Sequence, residues 1–292
     1  QNDEGKIESK EKEEETIIET EKYKMVWTNK GAALKSLKLK EYYHGYVSRQ
    51  EKDWQKNPEN WLEIIPRFSA RYNSFLLFSK SAKLDKEIWK TTILENPKKL
   101  IFEFSSSNGL KYSKIFTFFE KDYLIDGEIT IENNAEESKQ IESMQLFSGA
   151  GILLEDSRSF RSDTMYSIYG HIMAISEKKI QTFENFSYGD FLKDSLKVEK
   201  NVAWASITNR YFAHVLRFKQ PEIINSLKGA AFYPDVSWAK SIVQFHEGKK
   251  ETVDMKILQG LKVPIWSFDT KPVLANQKQK VSIPFEFRIE TK

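Results

Sequence analysis

The residues best suited to acid–base or metal chemistry are few in this chain and far apart. Its four histidines, His44, His171, His214 and His246, are separated by 127, 43 and 32 residues, and there is no cysteine. Two ligands on one face of an element need close spacings such as His-x-His, and thiolate chemistry needs cysteine. We therefore expect no metal site, no catalytic cysteine and no cofactor.

Motifs for nucleophilic or nucleotide chemistry are equally absent from the sequence. There is no Gly-x-Ser-x-Gly sequence, and Gly149-Ala150-Gly151 lacks the third glycine of a dinucleotide fingerprint, so it predicts a turn. Glu155 and Asp156 are adjacent, and neighbouring residues of a strand point to opposite faces, so they cannot act as a paired acid and base. We predict no catalytic residues.

The most informative segment runs from Trp204 to Pro221. It predicts a strand over Trp204 to Ile207, followed by a short helix over Asn209 to Phe218 that Thr208 and Asn209 would cap. Spacings of four residues would place two aromatic and aliphatic pairs on the buried face of this helix, with the polar residues in water. The buried pairs are Tyr211 with Val215 and Phe212 with Leu216, and the polar residues are Arg210, His214 and Arg217.

The elements around this segment predict an all-β fold. Aromatic residues, which favour pleated surfaces, include 20 Phe, 12 Tyr and 7 Trp. Asn108-Gly109 between two alternating runs is the strongest hairpin signal. A dozen short strands with turn signals between them indicate a large, mainly antiparallel sandwich with one or two short helices, the second over Tyr188 to Leu196. The strands predicted are Tyr23 to Trp27, Gly31 to Tyr42, Lys99 to Ser105, Leu110 to Phe119, Tyr123 to Asn133, Ile141 to Phe147, Met165 to Ile175, Lys179 to Phe183, Ile223 to Phe232, Ser241 to Phe245, Glu251 to Leu258 and Lys280 to Glu290.

The charge distribution divides the chain into a tether and a domain. Residues 1–22 hold nine acidic and four basic side chains, which leaves +8 on residues 23–292. So charged a segment buries too little apolar surface to offset its ordering entropy, so we expect a flexible tether over 1–22 and a folded domain over 23–292.

The remaining charge excludes one class of partner. The cations comprise 37 lysines and only eight arginines, scattered through the predicted strands and turns without forming a stripe. Nucleic-acid readers concentrate arginine and lysine on one face, so we expect no nucleic-acid partner. No run approaches the roughly 20 apolar residues that cross a bilayer.

Four blocks of this sequence resemble one family in the expected order. They are the opening strand and Gly-Ala turn (Tyr23 to Tyr42), the aromatic strand, turn and long strand of Lys114 to Asn133, the Trp204 to Pro221 segment, and the last strand from Val281 to Lys292. Together they resemble the large periplasmic domain of the YidC membrane-protein insertases. The last block departs from the family at Arg288-Ile-Glu-Thr-Lys292, where the family has a Gly-Pro-Lys signature.

The resemblance implies a β-supersandwich on the periplasmic face of the bacterial inner membrane, anchored through membrane segments outside this chain. Such a domain would be a non-catalytic spacer and a docking or substrate-holding surface. Its partners would be components of the Sec translocon and nascent membrane proteins. The family-signature residues Trp204, Asn209, Tyr211 and Phe212 would be structural.

Two alternatives remain open. Thr208-Asn209-Arg210-Tyr211-Phe212 is similar to the Thr-Asn-His-x-Tyr-Phe signature of the aldose epimerases, although Arg210 stands near the position of the histidine that supplies their acid. Arginine stays protonated near neutral pH and cannot exchange that proton. Trp54 and Trp61, in or beside a polar loop, could stack on a carbohydrate, or they could close the end of a sandwich core.

Overall fold

Strands dominate the part of the chain that the structure describes. The computed structural model describes residues 12–43, 53–58, 60–65, 73–150, 168–175, 181–193, 196–209, 211–232 and 263–291. The strands are β1 (Glu15–Glu19), β2 (Tyr23–Thr28), β3 (Ala33–Tyr43), β4 (Trp61–Ile65), β5 (Leu77–Phe78), β6 (Lys90–Glu95), β7 (Lys98–Ser105), β8 (Leu110–Phe118), β9 (Leu124–Asn133), β10 (Lys139–Ile141), β11 (Gln145–Ala150), β12 (Tyr169–Ile175), β13 (Gln181–Ser187), β14 (Lys197–Val198), β15 (Asn201–Thr208), β16 (Phe212–Phe218), β17 (Ile224–Phe232), β18 (Val263–Thr270), β19 (Val273–Ala275) and β20 (Lys280–Thr291). The described residues also include one α-helix, α1 (Tyr188–Phe191), and two 3-10 turns, Trp54–Lys56 and Pro221–Ile223.

A nine-stranded antiparallel sheet forms the base of the fold, in the order β13-β12-β15-β16-β20-β9-β8-β7-β6. Several of its strands alternate buried and partly exposed residues, as β8 does over its nine residues. Alternation of this kind places one face of a sheet against a core and leaves the other open. We call the buried side the inner face and the opposite side the outer face.

Two smaller sheets cover the inner face. The four-stranded sheet β1-β2-β3-β4 packs Trp27 against Phe116 of β8, with ring centroids 4.4 Å apart. The five-stranded sheet β14-β17-β18-β11-β5 packs Trp266 against Phe186 of β13 at 5.6 Å. The Trp266 indole N–H donates to the backbone carbonyl of Ser206 in β15 at 2.9 Å. The core therefore lies between one wide sheet and two narrow ones, a sandwich of the predicted all-β class.

The clearest hairpin prediction is confirmed. Strands β7 and β8 pair from Lys99 with Thr117 to Ser105 with Lys111, across the Asn108-Gly109 turn. Gly109 has φ of +87°, which glycine adopts without steric cost, and the Asn108 side chain accepts from the Leu110 N–H. Local turn chemistry was sufficient here because the two strands are neighbours in sequence.

The predicted helix over Asn209 to Phe218 is wrong, because Phe212–Phe218 forms strand β16. It pairs with β15 on one side and β20 on the other. A spacing of four residues also places side chains on the same face of a strand, so Phe212 with Leu216 fits either structure. His214, predicted to lie in water, is buried with them on the inner face.

Three other boundaries differ from the sequence predictions. Order begins before Tyr23, since Glu15–Glu19 is a strand paired to β2, and residues 1–11 of the predicted tether lie outside the described part. The turn predicted at residues 149–151 is wrong at its start, because β11 continues to Ala150. The second predicted helix is confirmed only over Tyr188–Phe191. The strands predicted at 241–245 and 251–258 lie outside the described residues.

Candidate functional site

The turn between β15 and β16 is built by the side chain of Asn209. Its Oδ1 accepts from the backbone N–H of Tyr211 at 2.9 Å and of Phe212 at 2.7 Å. The Asn209 N–H in turn donates to the carbonyl of Phe212 at 2.9 Å. An asparagine that binds the backbone two and three residues ahead can cap a helix or close a turn, and here it closes the turn of a β-hairpin.

The other signature residues differ in burial. Phe212 is 3% exposed and meets the ring of Tyr42 edge-on at 5.0 Å. Tyr211 is 47% exposed, so the prediction that it faces the core is wrong. Trp204 is half-buried on the outer face of β15. Only Phe212 of the three aromatic residues belongs to the interior.

Trp204 contributes to an apolar cluster on the outer face. The registers place Met173 of β12 opposite both Phe183 of β13 and Trp204 of β15. The rings of Phe183 and Trp204 are 6.4 Å apart between centroids, and Phe183 is 65% exposed. We call these three residues the Phe183 patch. The exposed cation Arg217 lies opposite Trp204 in the next strand, β16, and borders the patch.

A polar row lies beside the Phe183 patch on the same face. His171 Nδ1 is 2.7 Å from Asn185 Oδ1, and its Nε2 is 3.1 Å from Thr208 Oγ1. Because an amide oxygen only accepts, Nδ1 donates to Asn185, and Nε2 lies within hydrogen-bonding distance of the Thr208 hydroxyl. The ring of Tyr169 lies 6.3 Å from that of His171. The row joins β13, β12 and β15 and adds polar groups next to the apolar patch.

Two basic side chains, His214 and Lys114, are buried in the interior of the described part of the fold. His214 is 1% exposed, and neither ring nitrogen has a hydrogen-bond partner among the described residues. Burial lowers its pKa to about 3. Protonating the ring would place an unpaired charge in the core beside Phe287, whose ring is 5.8 Å away. His214 is therefore a neutral imidazole in the folded domain.

Lys114 is the second buried base, and it is fully enclosed. Its Nζ donates to the backbone carbonyls of Gly31 at 2.8 Å, Ala32 at 3.1 Å and Phe75 at 2.8 Å. All three residues have positive φ, at 69°, 50° and 64°, an uncommon backbone for alanine and phenylalanine. Burial lowers the pKa of Lys114 to about 7, and the charge of Asp85 acts in the opposite direction. The side chain ties β8 to two turns and is not available to a substrate.

The described residues contain neither a cluster of metal-ligating side chains nor a long apolar helix. Within those ranges, no three histidine, aspartate or glutamate side chains converge to hold an ion. No helix described here has both the length and the apolarity needed to cross a bilayer.

Trp61 is 7% exposed and its indole N–H donates to the Gln55 carbonyl at 2.7 Å, which agrees with core closure better than with sugar stacking. The Trp54 side chain lies outside the described part.

Comparison with known sequences identifies the family. The family model described as the YidC periplasmic domain matches residues 15–260. The chain belongs to the YidC periplasmic domain family. Two curated relatives are membrane protein insertases YidC. That of Geotalea uraniireducens is 24% identical over 209 residues, which cover 68% of this chain and 36% of that protein. That of Endomicrobium trichonymphae is 26% identical over 204 residues, covering 69% and 32%. The chain thus matches about a third of the length of these YidC relatives.

Solved structures place the YidC periplasmic domain in a wider fold group. A galactose mutarotase-like protein from Lactobacillus casei superposes with a TM-score of 0.55 at 10% identity, covering 95% of this chain and all of that one. A GalM/aldose epimerase homologue from C. elegans gives 0.54 at 8% identity, covering 96% and 99%. At these identities the likeness concerns the fold alone. The epimerase-like segment noted in the sequence forms the Asn209 turn, and its Arg210 lies outside the described residues.

Sequence reasoning missed both Phe183 and Lys114, yet each leaves a signal. Phe183 and Phe186 are three apart in one strand, an odd spacing that places them on opposite faces, so one had to point outward. Lys114 occupies a core position in an alternating run that includes Tyr112 and Phe116. A lysine at a position of a strand that otherwise faces the core indicates a buried amine with hydrogen-bond acceptors around it.

Proposed function

We propose that this domain is a non-catalytic docking or holding surface on the periplasmic side of the inner membrane, within a membrane-protein insertase. Its partners would be periplasmic parts of the Sec translocon or nascent membrane proteins, and its anchorage would come from segments outside this chain. Family membership and the names of the YidC relatives support the setting. The Phe183 patch supports the surface role.

The exposure of Phe183 carries this proposal. Monomeric proteins expose single apolar side chains everywhere, whereas adjacent exposed ones mark interaction sites. Here Phe183 at 65% exposure adjoins Met173 and the half-buried Trp204 across three neighbouring strands. Methionine between two aromatic rings adapts to different apolar partners. Arg217 and the polar row around His171 give the patch a hydrogen-bonding border.

Site-specific crosslinking in the full insertase tests the proposal. A photoreactive residue at Phe183 should crosslink to translocon periplasmic domains if the patch docks partners, and to an unfolded apolar segment if it holds clients. Phe183→Ser should weaken the same capture in a pull-down. Leu274→Ser is the matched control, because Leu274 is 58% exposed on β19, away from the patch. Equal capture by both variants, or no crosslink to either class, would contradict the proposal.

A further inference from the structure

The sheet edges of this domain are not equally protected against strand addition. Edge strands expose unpaired N–H and C=O groups, and proteins blunt them by shortness, charge, bulges or coverage. Strands β5 and β14 have two residues each, and all five residues of β4 are buried. Strand β1 carries Glu15 and Glu19, which pair with Lys35 and Lys40. Strand β6 has a charge at each end, at Lys90 and Glu95.

Strand β13 has fewer of these protections in the part of the chain that the structure describes. Within the described residues it pairs with β12 alone, over seven residues and without a register shift. Glu184 is its one charged residue. Its outer face presents Phe183, the most exposed large apolar side chain among those described. An edge that is seven residues long, regular in its pairing and apolar at Phe183 on its outer face is a template for another strand.

We propose that β13 receives an extended strand of a partner protein, which joins the nine-stranded sheet by backbone hydrogen bonds. The inference rests on the proposed docking function and names the chemistry of its partner. Open backbone groups select a polypeptide in extended form, because neither a sugar nor a lipid repeats donors and acceptors at the spacing of a strand.

The side chains of β13 specify what the added strand should carry. A residue opposite Phe183 would extend the Phe183 patch and should be apolar, since aromatic and β-branched side chains pair well across strands. A residue opposite Glu184 should be basic. Glu184 pairs with Lys200, but that pair is at the surface, where ion pairs are weak and exchange partners readily. The expected partner strand therefore alternates apolar and polar residues around a central cation.

A second copy of this chain fits the edge less well. Glu184 is the middle residue of Gln181–Ser187. Two copies of β13 paired antiparallel about that centre would place Glu184 directly opposite Glu184, and like charges in facing positions destabilise a sheet. The complementary charge favours a different chain over self-association.

A synthetic strand tests the idea on the whole insertase. The probe is the peptide acetyl-Thr-Val-Thr-Val-Lys-Val-Thr-Val-amide, in a plain form and in two forms N-methylated at alternate residues. Successive amides of a strand point to opposite sides, so strand addition should make one methylated form bind at least about tenfold more weakly and leave the other close to the plain peptide. Equal binding of all three forms, or equal loss in both methylated ones, overturns strand addition.

A charge exchange tests the register. Glu184→Lys should weaken the lysine peptide about fivefold and favour the same peptide with glutamate at the centre. Glu95→Lys on β6 is the matched control, because it is an exposed glutamate on the opposite edge of the same sheet, and it should change neither affinity. If Glu95→Lys has the larger effect, β6 is the receiving edge and the proposal for β13 is wrong.

Hydrogen exchange and disulfide trapping separate the other occupants. In the free insertase the outward amides of β13 should exchange fast and become protected when the peptide binds. Protection of these amides without peptide would mean that another segment already covers the edge. If the Asn185→Cys variant forms a disulfide-linked dimer on oxidation, the edge is covered by a second copy of this chain. Either result overturns the proposal. If the peptide does not bind but Phe183 still crosslinks to a partner, strand addition is wrong and the docking function remains supported. If neither is observed, the docking function is wrong as well.

Discussion

The ammonium of Lys114 lies over the ring of Trp89, with Nζ 5.1 Å from the ring centroid. The indole N–H of Trp89 donates to the Leu84 carbonyl at 3.2 Å, which fixes the ring in place. The electron-rich face of the ring completes an environment whose other sides are the carbonyls of Gly31, Ala32 and Phe75. These partners offset only part of the cost of burying the charged amine, since burial still lowers the pKa of Lys114 to about 7.

The buried amine predicts a stability that rises with pH above neutrality. The pKa of Lys114 is about 7 in the folded domain against about 10.4 in an unfolded chain, so between these values the unfolded state binds more protons. Unfolding free energy should increase by about 3 kcal/mol between pH 7 and 9.5, before tyrosine ionisation intervenes. Lys114→Met should remove this slope, measured by urea unfolding at both pH values.

Lys111→Met is the control for that measurement. Lys111 is on the same strand, but its side chain is on the outer face in an ion pair with Glu103, at 2.5 Å. The pH slope of this variant should match that of the parent. A slope that survives in Lys114→Met would show that another group carries it.

The neutral imidazole of His214 predicts acid lability. Its pKa is about 3 in the fold and about 6.5 in an unfolded chain, so the stability it permits is complete above pH 6.5 and is lost progressively as the pH falls towards 3. Unfolding free energy should drop by about 2 kcal/mol between pH 6.5 and 4.5 from this group. His214→Leu should reduce that drop and raise the urea midpoint at every pH. His171→Leu, on the outer face, should retain the full acid slope, and an unchanged slope in His214→Leu would contradict the assignment.

The Asn209 turn predicts a difference between two small substitutions. Asn209→Ala removes the acceptor of the Tyr211 and Phe212 N–H groups and should cost about 1–2 kcal/mol of unfolding free energy. Asn209→Asp keeps an oxygen in the same place and should lose far less. Thermal and urea unfolding of the two variants decide the matter, and equal losses would mean that the amide nitrogen, not Oδ1, carries the turn.

Truncation of the two adjacent aromatic residues in that hairpin should cost different amounts of stability. Phe212→Ala empties a position that is 3% exposed and should cost about 3–5 kcal/mol. Tyr211→Ala changes a side chain that is 47% exposed and should cost less than about 1 kcal/mol. Similar melting temperatures for the two variants would contradict the different burial of the two side chains.

Local signals predicted the parts of the fold whose partners are close in sequence. Asn108-Gly109 specified β7 and β8 because turn geometry and register are set within a few residues. Strand β18 was missed because seven of its eight residues are buried, so its sequence shows no alternation. For the segment after Asn209, the four-residue spacing predicts a helix but fits a strand equally well. Pairing with β15 and with β20, some seventy residues away, decides it.

The candidate surface could be predicted less well than the fold. The spacing of Phe183 and Phe186 predicts that one of them points outward. Which one does so depends on the position of Trp266 in the five-stranded sheet, which packs against Phe186. No single segment of the sequence predicts that Met173 lies between two rings or that β13 is an edge strand. Both features depend on the order of strands in the sheet.

The three bonds of Lys114 also constrain how the domain assembles. They join positions 83, 82 and 39 residues apart along the chain. If the amine is buried during folding before both turns have formed, it loses its hydration without gaining its hydrogen-bond acceptors. Half-closed sandwiches are thereby penalised, and the two layers around this side chain should form and separate together, in a single cooperative step.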